Sequence, residues 1–350
     1  MLQNRIKNFV ELSKFLSQFT RQGFQQLPDV KNNNLFFDKF SELVDTAHHT
    51  NRWFTKDNVL FAVQSWTKAL TYENLNQWLA NYSFENIQSK NVGLVLAGNI
   101  PLVGFHDFLC VLLSGHKAVI KASSNDKILI EFIAQYLTKL DAYYTDKIVF
   151  TDDKLTDFEL VIATGSNNTA RYFEYYFRNK PSIIRKNRNS VAVLSGNETK
   201  EELELLGNDI FTYFGLGCRN VSKIFVPKNY DFKLFFEAIY AYKDIIFYDK
   251  YANNYDYNKA VYLMSLYNIL DNEFLLLKED VALSSPIATL FYEYYDDLQQ
   301  VENIVKENAE NIQCIVSTIL PQAEPFGKAQ QPELWDYADN IDTLQFLITN

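Results

Sequence analysis

Cysteine is scarce in this chain of 350 residues. Cys110, Cys218 and Cys314 are widely spaced and odd in number, and no Cys-x-x-Cys pair occurs. That excludes a disulfide-built scaffold and leads us to expect a reducing, cytoplasmic setting. Histidine is also rare. His48, His49, His106 and His116 show no familiar metal-ligand spacing, so no metal site is expected. The two common nucleotide fingerprints, Gly-x-Gly-x-x-Gly and Gly-x-x-x-x-Gly-Lys-Ser/Thr, are both missing. No apolar run reaches bilayer-spanning length, because Gly, Pro, His or Asp breaks each long one. Met1 to Arg5 do not open a basic-then-apolar leader, and a soluble protein is expected. Positive charge is in deficit, 33 Lys and Arg against 43 Asp and Glu, for a formal net charge of -10. A general nucleic-acid surface is therefore not expected, although a local basic pocket is compatible with an acidic whole.

What is abundant is apolar and aromatic: 47% of residues are hydrophobic, with 28 Phe and 22 Tyr. That is enough for a large core and suits two domains better than one. Most of these rings must simply fill the core. Phe9, Leu12, Leu16 and Phe19 recur at helical spacing, as do Phe36, Phe37, Phe40, Leu43 and Val44. Residues 1–85 therefore read as mostly helical, with two short helices over 58–66 and 75–80. From residue 92 the pattern changes. Strands are predicted over 92–98, 117–121, 160–163, 182–185, 190–194 and 221–226. Helices are predicted over 102–113, 128–140, 170–177, 198–214 and 232–242. Ser123, Ser124, Asn125 and Asp126 are capping candidates for the helix at 128. Strands alternating with helices over short connections predict α/β architecture with a mainly parallel sheet. The closing run Thr343 to Ile348 reads as a strand that extends a sheet or reaches a neighbouring chain.

Four segments carry candidate chemistry. Phe214-Gly215-Leu216-Gly217-Cys218-Arg219-Asn220 places a thiol after two glycines and before an apolar run. A thiol held that way is a candidate nucleophile, or else a small buried hydrophobe. Gly98-Asn99-Ile100-Pro101 follows a strand. Its Asn99 amide is suited to donate to a charged oxygen, or simply to form the turn. Thr164-Gly165-Ser166 lies at a strand-to-helix transition, where free amides favour phosphate, with Ser166 as an ordinary cap the alternative. Lys121 ends a strand, within reach of cofactor hydroxyls or solvent. Arg185, Lys186 and Arg188, with Arg178 and Lys180 nearby, form the densest basic cluster. It is a candidate phosphate contact or a solvated turn.

Taken in order, these segments resemble the LuxC-type acyl-CoA reductases, a short branch of the aldehyde dehydrogenase superfamily. The resemblance runs over roughly residues 88–347. It rests on Gly98-Asn99-Ile100-Pro101, Val119-Ile120-Lys121-Ala122-Ser123, Thr164-Gly165-Ser166 and the Cys218 segment through Lys223. The ending Pro325-Phe326-Gly327-Lys328-Ala329-Gln330-Gln331-Pro332 with Trp335-Asp336-Tyr337-Ala338-Asp339 completes it. The resemblance implies an aldehyde dehydrogenase-like α/β fold. It has a nucleotide-binding domain with a helical N-terminal segment over 1–197 and a cysteine-bearing catalytic domain over 198–330. A tail over 331–350 returns to the first domain or to an oligomer partner. It implies Cys218 as nucleophile, Asn99 and the Cys218 amide as oxyanion donors, Lys121, Ser123 and Ser124 on the cofactor ribose side, and Gly165 and Ser166 facing phosphate. The implied activity is reduction of a long-chain acyl-CoA to a fatty aldehyde with NADPH or NADH, through an acyl thioester on the cysteine. The partners implied are acyl-CoA and either a second copy of the chain or an acyl-transferring or acyl-activating protein.

Two departures from the wider superfamily refine this. The stretch that in hydrolytic relatives holds a general-base glutamate here reads Ile183-Ile184-Arg185-Lys186-Asn187-Arg188-Asn189-Ser190. Three positions after Lys121, Ser124 stands where many NAD-preferring relatives have an acidic residue, which admits NADPH. Two other classes stay open: a cysteine-dependent thioesterase or acyltransferase, which lacks a clear histidine partner, and a catalytically silent scaffold.

Overall fold

The computed structural model describes residues 1–350, which divide into two compact units: residues 1–186 with 333–350, and residues 187–332. The first unit opens with α1 (Leu2–Leu16), a small hairpin β1 (Phe19–Thr20) and β2 (Gly23–Phe24), and then α2 (Asn33–Thr50), α3 (Lys56–Ala69) and α4 (Tyr72–Leu79). It continues through β3 (Asn91–Val95), α5 (Phe105–Ser114), β4 (Lys117–Lys121), α6 (Lys127–Leu140), β5 (Ile148–Phe150), β6 (Leu160–Thr164), α7 (Asn167–Phe177) and β7 (Ser182–Arg185). The five strands β3 to β7 form one sheet in the order β5-β4-β3-β6-β7, every pair parallel. The predicted parallel α/β architecture is what the structure shows. Aromatic rings of α1, α2 and α6 interlock over this sheet. Phe15 lies 4.5 Å from Tyr136, and Phe40 lies 4.7 Å from Phe132, centroid to centroid. Phe9, Phe15, Phe19, Phe40, Phe105 and Phe108 are fully buried in that core. Their work is packing, each contributing about 1.5–3 kcal/mol by leaving water.

The second unit comprises β8 (Asn189–Val193), α8 (Lys200–Phe211), β9 (Val221–Pro227), α9 (Phe232–Ile239), α10 (Asp249–Met264), β10 (Ile269–Asp271), β11 (Leu276–Glu279), β12 (Thr289–Tyr295), α11 (Leu298–Glu307) and β13 (Ile312–Ser317). Its sheet runs β10-β11-β12-β9-β8-β13, parallel except at the β10–β11 edge. α8 starts on a full capping box: Thr199 and Glu202 each satisfy the other's backbone amide. No helix of the chain is long and apolar enough to cross a membrane.

The chain ends back in the first unit with α12 (Thr343–Thr349). This corrects the expectation of a strand there. Asp342 accepts from the Gln345 amide at 2.8 Å and starts a helix, and Leu344 and Leu347, three apart, are both buried. The tail is held by polar bonds. Trp78 Nε1 donates to the Tyr337 hydroxyl at 2.8 Å, and Tyr82 donates to Asp342 at 2.7 Å. Since Tyr82 has one proton to give, the 2.8 Å contact between the two hydroxyls is a bond from Tyr337 to Tyr82. His116 accepts from the Lys90 amide on Nδ1, so its Nε2 carries the proton and donates to the Leu347 carbonyl at 2.9 Å. Burial, the largest influence, lowers the His116 pKa and keeps the ring neutral.

Arg185 is the strongest tie. It is only 4% exposed, pairs with Asp107 at 2.7 Å, and donates to the Ala338 carbonyl and the Thr343 hydroxyl. Removing one partner of a buried pair strands the other charge, at about 3–5 kcal/mol. Asp107→Ala should therefore lose that much stability in urea unfolding. A loss under about 1 kcal/mol, the range of an exposed pair, would show that Arg185 is not held by this carboxylate.

Candidate active site

Cys218 sits in the loop between α8 and β9, and its residue is exposed. The backbone leading to it is unusual. Tyr213, Phe214 and Gly215 all have left-handed φ, at 56°, 59° and 77°. Two aromatic residues in that region carry strain of about 1–3 kcal/mol each and need compensation. This is also why α8 stops at Phe211 and not at the predicted 214. Compensation comes from Asn220. Its Oδ1 accepts from the Gly217 amide at 2.8 Å, and its Nδ2 donates to the carbonyls of Thr212 at 2.8 Å and Asp209 at 3.0 Å. One buried amide side chain thus ties both ends of the loop that carries the thiol. Phe214 stacks on Tyr248 at 4.7 Å and adds a second anchor.

Two more residues complete this half. The Ser190 hydroxyl donates to the Cys218 carbonyl at 3.0 Å and accepts the Cys314 amide at 3.2 Å. Its one proton is thereby used, so the 3.1 Å contact with Cys314 Sγ is donated by the thiol. Burial pushes the Cys314 thiol up to about 11, against the opposing influence of Arg219, so it stays protonated. Cys110 is fully buried, and burial pushes its thiol well above the usual range. Of the three sulfurs, only Cys218 belongs to an exposed residue. On the far side of the loop, the Asp209 carboxylate accepts from the Gly327 amide at 2.6 Å and the Ala329 amide at 3.0 Å. The Pro325-to-Pro332 ending is therefore bound to the same aspartate whose carbonyl Asn220 holds. Asn220, Asp209 and Ser190 were not singled out in sequence. The one available signal was an Asn directly after a glycine-rich turn and before a strand.

The other candidates lie at the carboxyl edge of the first unit's sheet. β3 stands between β4 and β6, so sheet growth reverses there, and ligands favour that edge of parallel sheets. Gly98 and Asn99 follow β3, Lys121 to Ser124 end β4 and follow it, and Gly165 and Ser166 follow β6. Asn99 is exposed and Gly98 buried. A Cβ at Gly98 would stand 2.7 Å from Ser123 Oγ, so the first two loops meet only because that position has no side chain. Lys121 Nζ donates to the Asp153 carbonyl at 3.1 Å. Ser123 Oγ accepts from the Asn125 amide, and Ser124 is exposed. Ser166 caps α7 through the Thr169 amide, and a Cβ at Gly165 would press on Phe173 at 2.9 Å. The missing side chain at Gly165 thus lets Thr169 and Phe173 of α7 pack close against the turn after β6.

The basic cluster does not converge. Arg185 is buried and committed to Asp107, Ala338 and Thr343, so it is not available as a phosphate contact. Lys186 pairs with Glu174 at 2.7 Å on the surface, and Arg188 donates to the carbonyls of Ala309 and Ile312. Neighbouring positions in sequence thus point at three separate sets of partners. No group of three or more His, Cys, Asp or Glu is placed to hold a metal.

Residues 38–239, more than half of the chain, match the acyl-CoA reductase (LuxC) family. The chain belongs to that family. It is thus an acyl-CoA reductase-type oxidoreductase. Solved aldehyde dehydrogenases share its fold. One is the indole-3-acetaldehyde dehydrogenase of P. syringae in complex with NAD+, at 12% identity and TM-score 0.64, covering 94% of this chain and 75% of the other. Another is aldehyde dehydrogenase 21 of Physcomitrella patens, at 13% identity and TM-score 0.60, covering 90% and 74%. The NAD-dependent benzaldehyde dehydrogenase of Corynebacterium glutamicum gives 12% identity and TM-score 0.61, covering 93% and 78%. No curated protein sequence matches the chain. The aldehyde dehydrogenase-like fold expected from the motifs is therefore found, and the enzyme class with it.

The Asp209 latch has a pH signature. Burial, outweighing the two amides, pushes its carboxyl from the ordinary value of 3.8 up to about 7. Between those values the folded acyl-CoA reductase holds one proton that the unfolded chain has lost. Its stability therefore falls as pH rises through that window and levels off above it. Asp209→Asn removes the titration, so the variant should gain on the wild type from about pH 4 to 7 in urea unfolding. Parallel curves across that range would mean the carboxyl is already ionised when folded.

Proposed function

We propose that this acyl-CoA reductase family member reduces a long-chain acyl thioester to the aldehyde through an acyl group carried on Cys218. The observation that carries this reading is the exposed Cys218 on a loop locked by Asn220, while Cys110 is buried, Cys314 is half-buried, and desolvation raises the pKa of both of those thiols. The Cys218 thiolate attacks the acyl carbonyl carbon, forming a carbon–sulfur bond and an oxyanion. By the family resemblance, the Asn99 side chain and the Cys218 amide are the donors assigned to that oxygen. As the carbonyl re-forms, the bond to the CoA sulfur breaks and CoA thiolate leaves. The hydride for the acyl carbon would come from a reduced nicotinamide, when bound. Collapse of the resulting thiohemiacetal oxyanion expels Cys218 as thiolate and frees the aldehyde. With the proton taken up by CoA, the sum is acyl-CoA, NAD(P)H and H+ to aldehyde, CoA and NAD(P)+.

The cofactor reading draws on the edge described above: Lys121 and Ser123 toward the ribose, Gly165 and Ser166 toward phosphate. Ser124, in place of a carboxylate, admits the 2′-phosphate of NADPH. The related folds bound to NAD+ support a nicotinamide of either kind. Hydrolysis is disfavoured on two grounds. The stretch Ile183 to Ser190 carries no carboxylate to activate water. His106 and His116 each spend a ring nitrogen on a backbone carbonyl, of Leu334 and Leu347.

Two variants test the reading. Incubated with a long-chain acyl-CoA and no nucleotide, the wild type should gain one acyl mass on Cys218, and Cys218→Ala should gain none. Reduction at the wild-type rate by Cys218→Ala would sink the covalent route, and free acid released without loss of NADPH would favour a thioesterase. Asn99→Ala should slow acylation by about 10²–10³-fold with little change in KM, the effect of losing one oxyanion donor. An unchanged rate would remove Asn99 from the chemistry.

A further inference from the structure

Asp126 stands at the head of α6, where an aspartate ordinarily accepts its own helix's first amides. It makes no such bond. This departs from the capping role expected in sequence. Its carboxylate instead reaches back 24 residues and accepts from the Leu102 amide at 2.8 Å, with the Val103 amide beside it. Asp126 is 5% exposed, walled by Leu96, Leu102, Phe105 and Ile130, and its second oxygen has no hydrogen-bond partner. Burial is the largest influence on it and raises its pKa well above the usual carboxylate range. A fold optimised for stability alone would place an apolar residue there. The segment it holds is strained as well: Leu102 lies at φ 58°, in the left-handed region.

A second anchor sits on the other flank. Asn51, the buried cap residue at the end of α2, donates Nδ2 to the Gly98 carbonyl at 3.2 Å. Its own Oδ1 is fixed by the Trp53 amide at 3.0 Å. Between the Gly98 and Leu102 anchors only Asn99, Ile100 and Pro101 remain, and the proline ring further restricts them. A three-residue bridge tied at both ends has little freedom to move its one exposed amide side chain.

We propose that Asp126 is a positioning residue that, opposite Asn51, holds the turn from Gly98 to Val103 so that Asn99 presents a preorganised donor. This rests on the reading of Asn99 as an oxyanion donor. Single-turnover acylation by a long-chain acyl-CoA, followed by release of CoA thiol, tests both in a double-mutant cycle. Asp126→Ala should slow acylation about ten- to hundredfold, a part of what a lost donor costs, and leave KM for acyl-CoA nearly unchanged. In the Asn99→Ala background the same substitution should cost little more, because no donor is left to position. Equal losses in both backgrounds, or wild-type acylation by Asp126→Ala, overturn the inference. Wild-type acylation by Asn99→Ala alone overturns the oxyanion reading instead, so the two failures are distinct. If Asp126→Ala does not fold, Asn51→Ala replaces it in the cycle and must show the same non-additivity.

Discussion

The side-chain amide of Asn220 is the interaction on which the cysteine half of this protein depends. It closes a loop with three consecutive left-handed residues, two of them aromatic, by joining the Gly217 amide to the carbonyls of Thr212 and Asp209. Without that closure, the strain at Tyr213 and Phe214 would relax toward ordinary helix, and α8 would continue through the residues that now lead to Cys218. The sharp end of α8, the exposure of Cys218 and the entry into β9 are thus consequences of one constraint. Asp209 extends it to the Pro325-to-Pro332 ending through two backbone amides. Segments more than a hundred residues apart in sequence are brought to one point by a single carboxylate.

Much of this fold is legible in the sequence because its strands are apolar, short and parallel. The strands at Lys117–Lys121 and Ser182–Arg185 fall where hydrophobic runs end in charge, and α1, α2 and α6 follow their three-and-four spacing. What escapes is decided at long range. Thr343 to Ile348 has the composition of a strand, but Asp342 and the buried Leu344–Leu347 pair make it a helix. Residues 102–104 look helical until the Asp126 carboxylate and a left-handed Leu102 delay the start of α5 to Phe105. The same limit applies to the site. Cys218, Asn99, Lys121 and Gly165 are readable because each stands next to a strand end in a short motif. Arg185 is misread as a phosphate contact because nothing local shows that Asp107, 78 residues away, claims its guanidinium.

Asp209, Asp126 and Glu198 share one mode of action, which explains why packing alone does not account for the loops. Each is buried, and each accepts from backbone amides of a loop and not from a cation: Gly327 and Ala329, Leu102, and Ser195 with Gly196. Apolar contacts are non-directional and tolerate sliding by fractions of an ångström. A carboxylate that accepts from amides fixes the peptide planes themselves, and with them the side chains that those peptides carry. The cost is a desolvated acid, visible in the raised pKa of Asp209 and Asp126. That cost is borne beside the loop of Cys218 and the loop of Asn99, the two places where the proposed acyl transfer would need nucleophile and donor fixed before the substrate arrives. Helices α1, α2 and α6, by contrast, pack on one another through Phe and Tyr rings. The division of labour follows from the chemistry: rings where only volume must be filled, and buried acids where the direction of a bond matters.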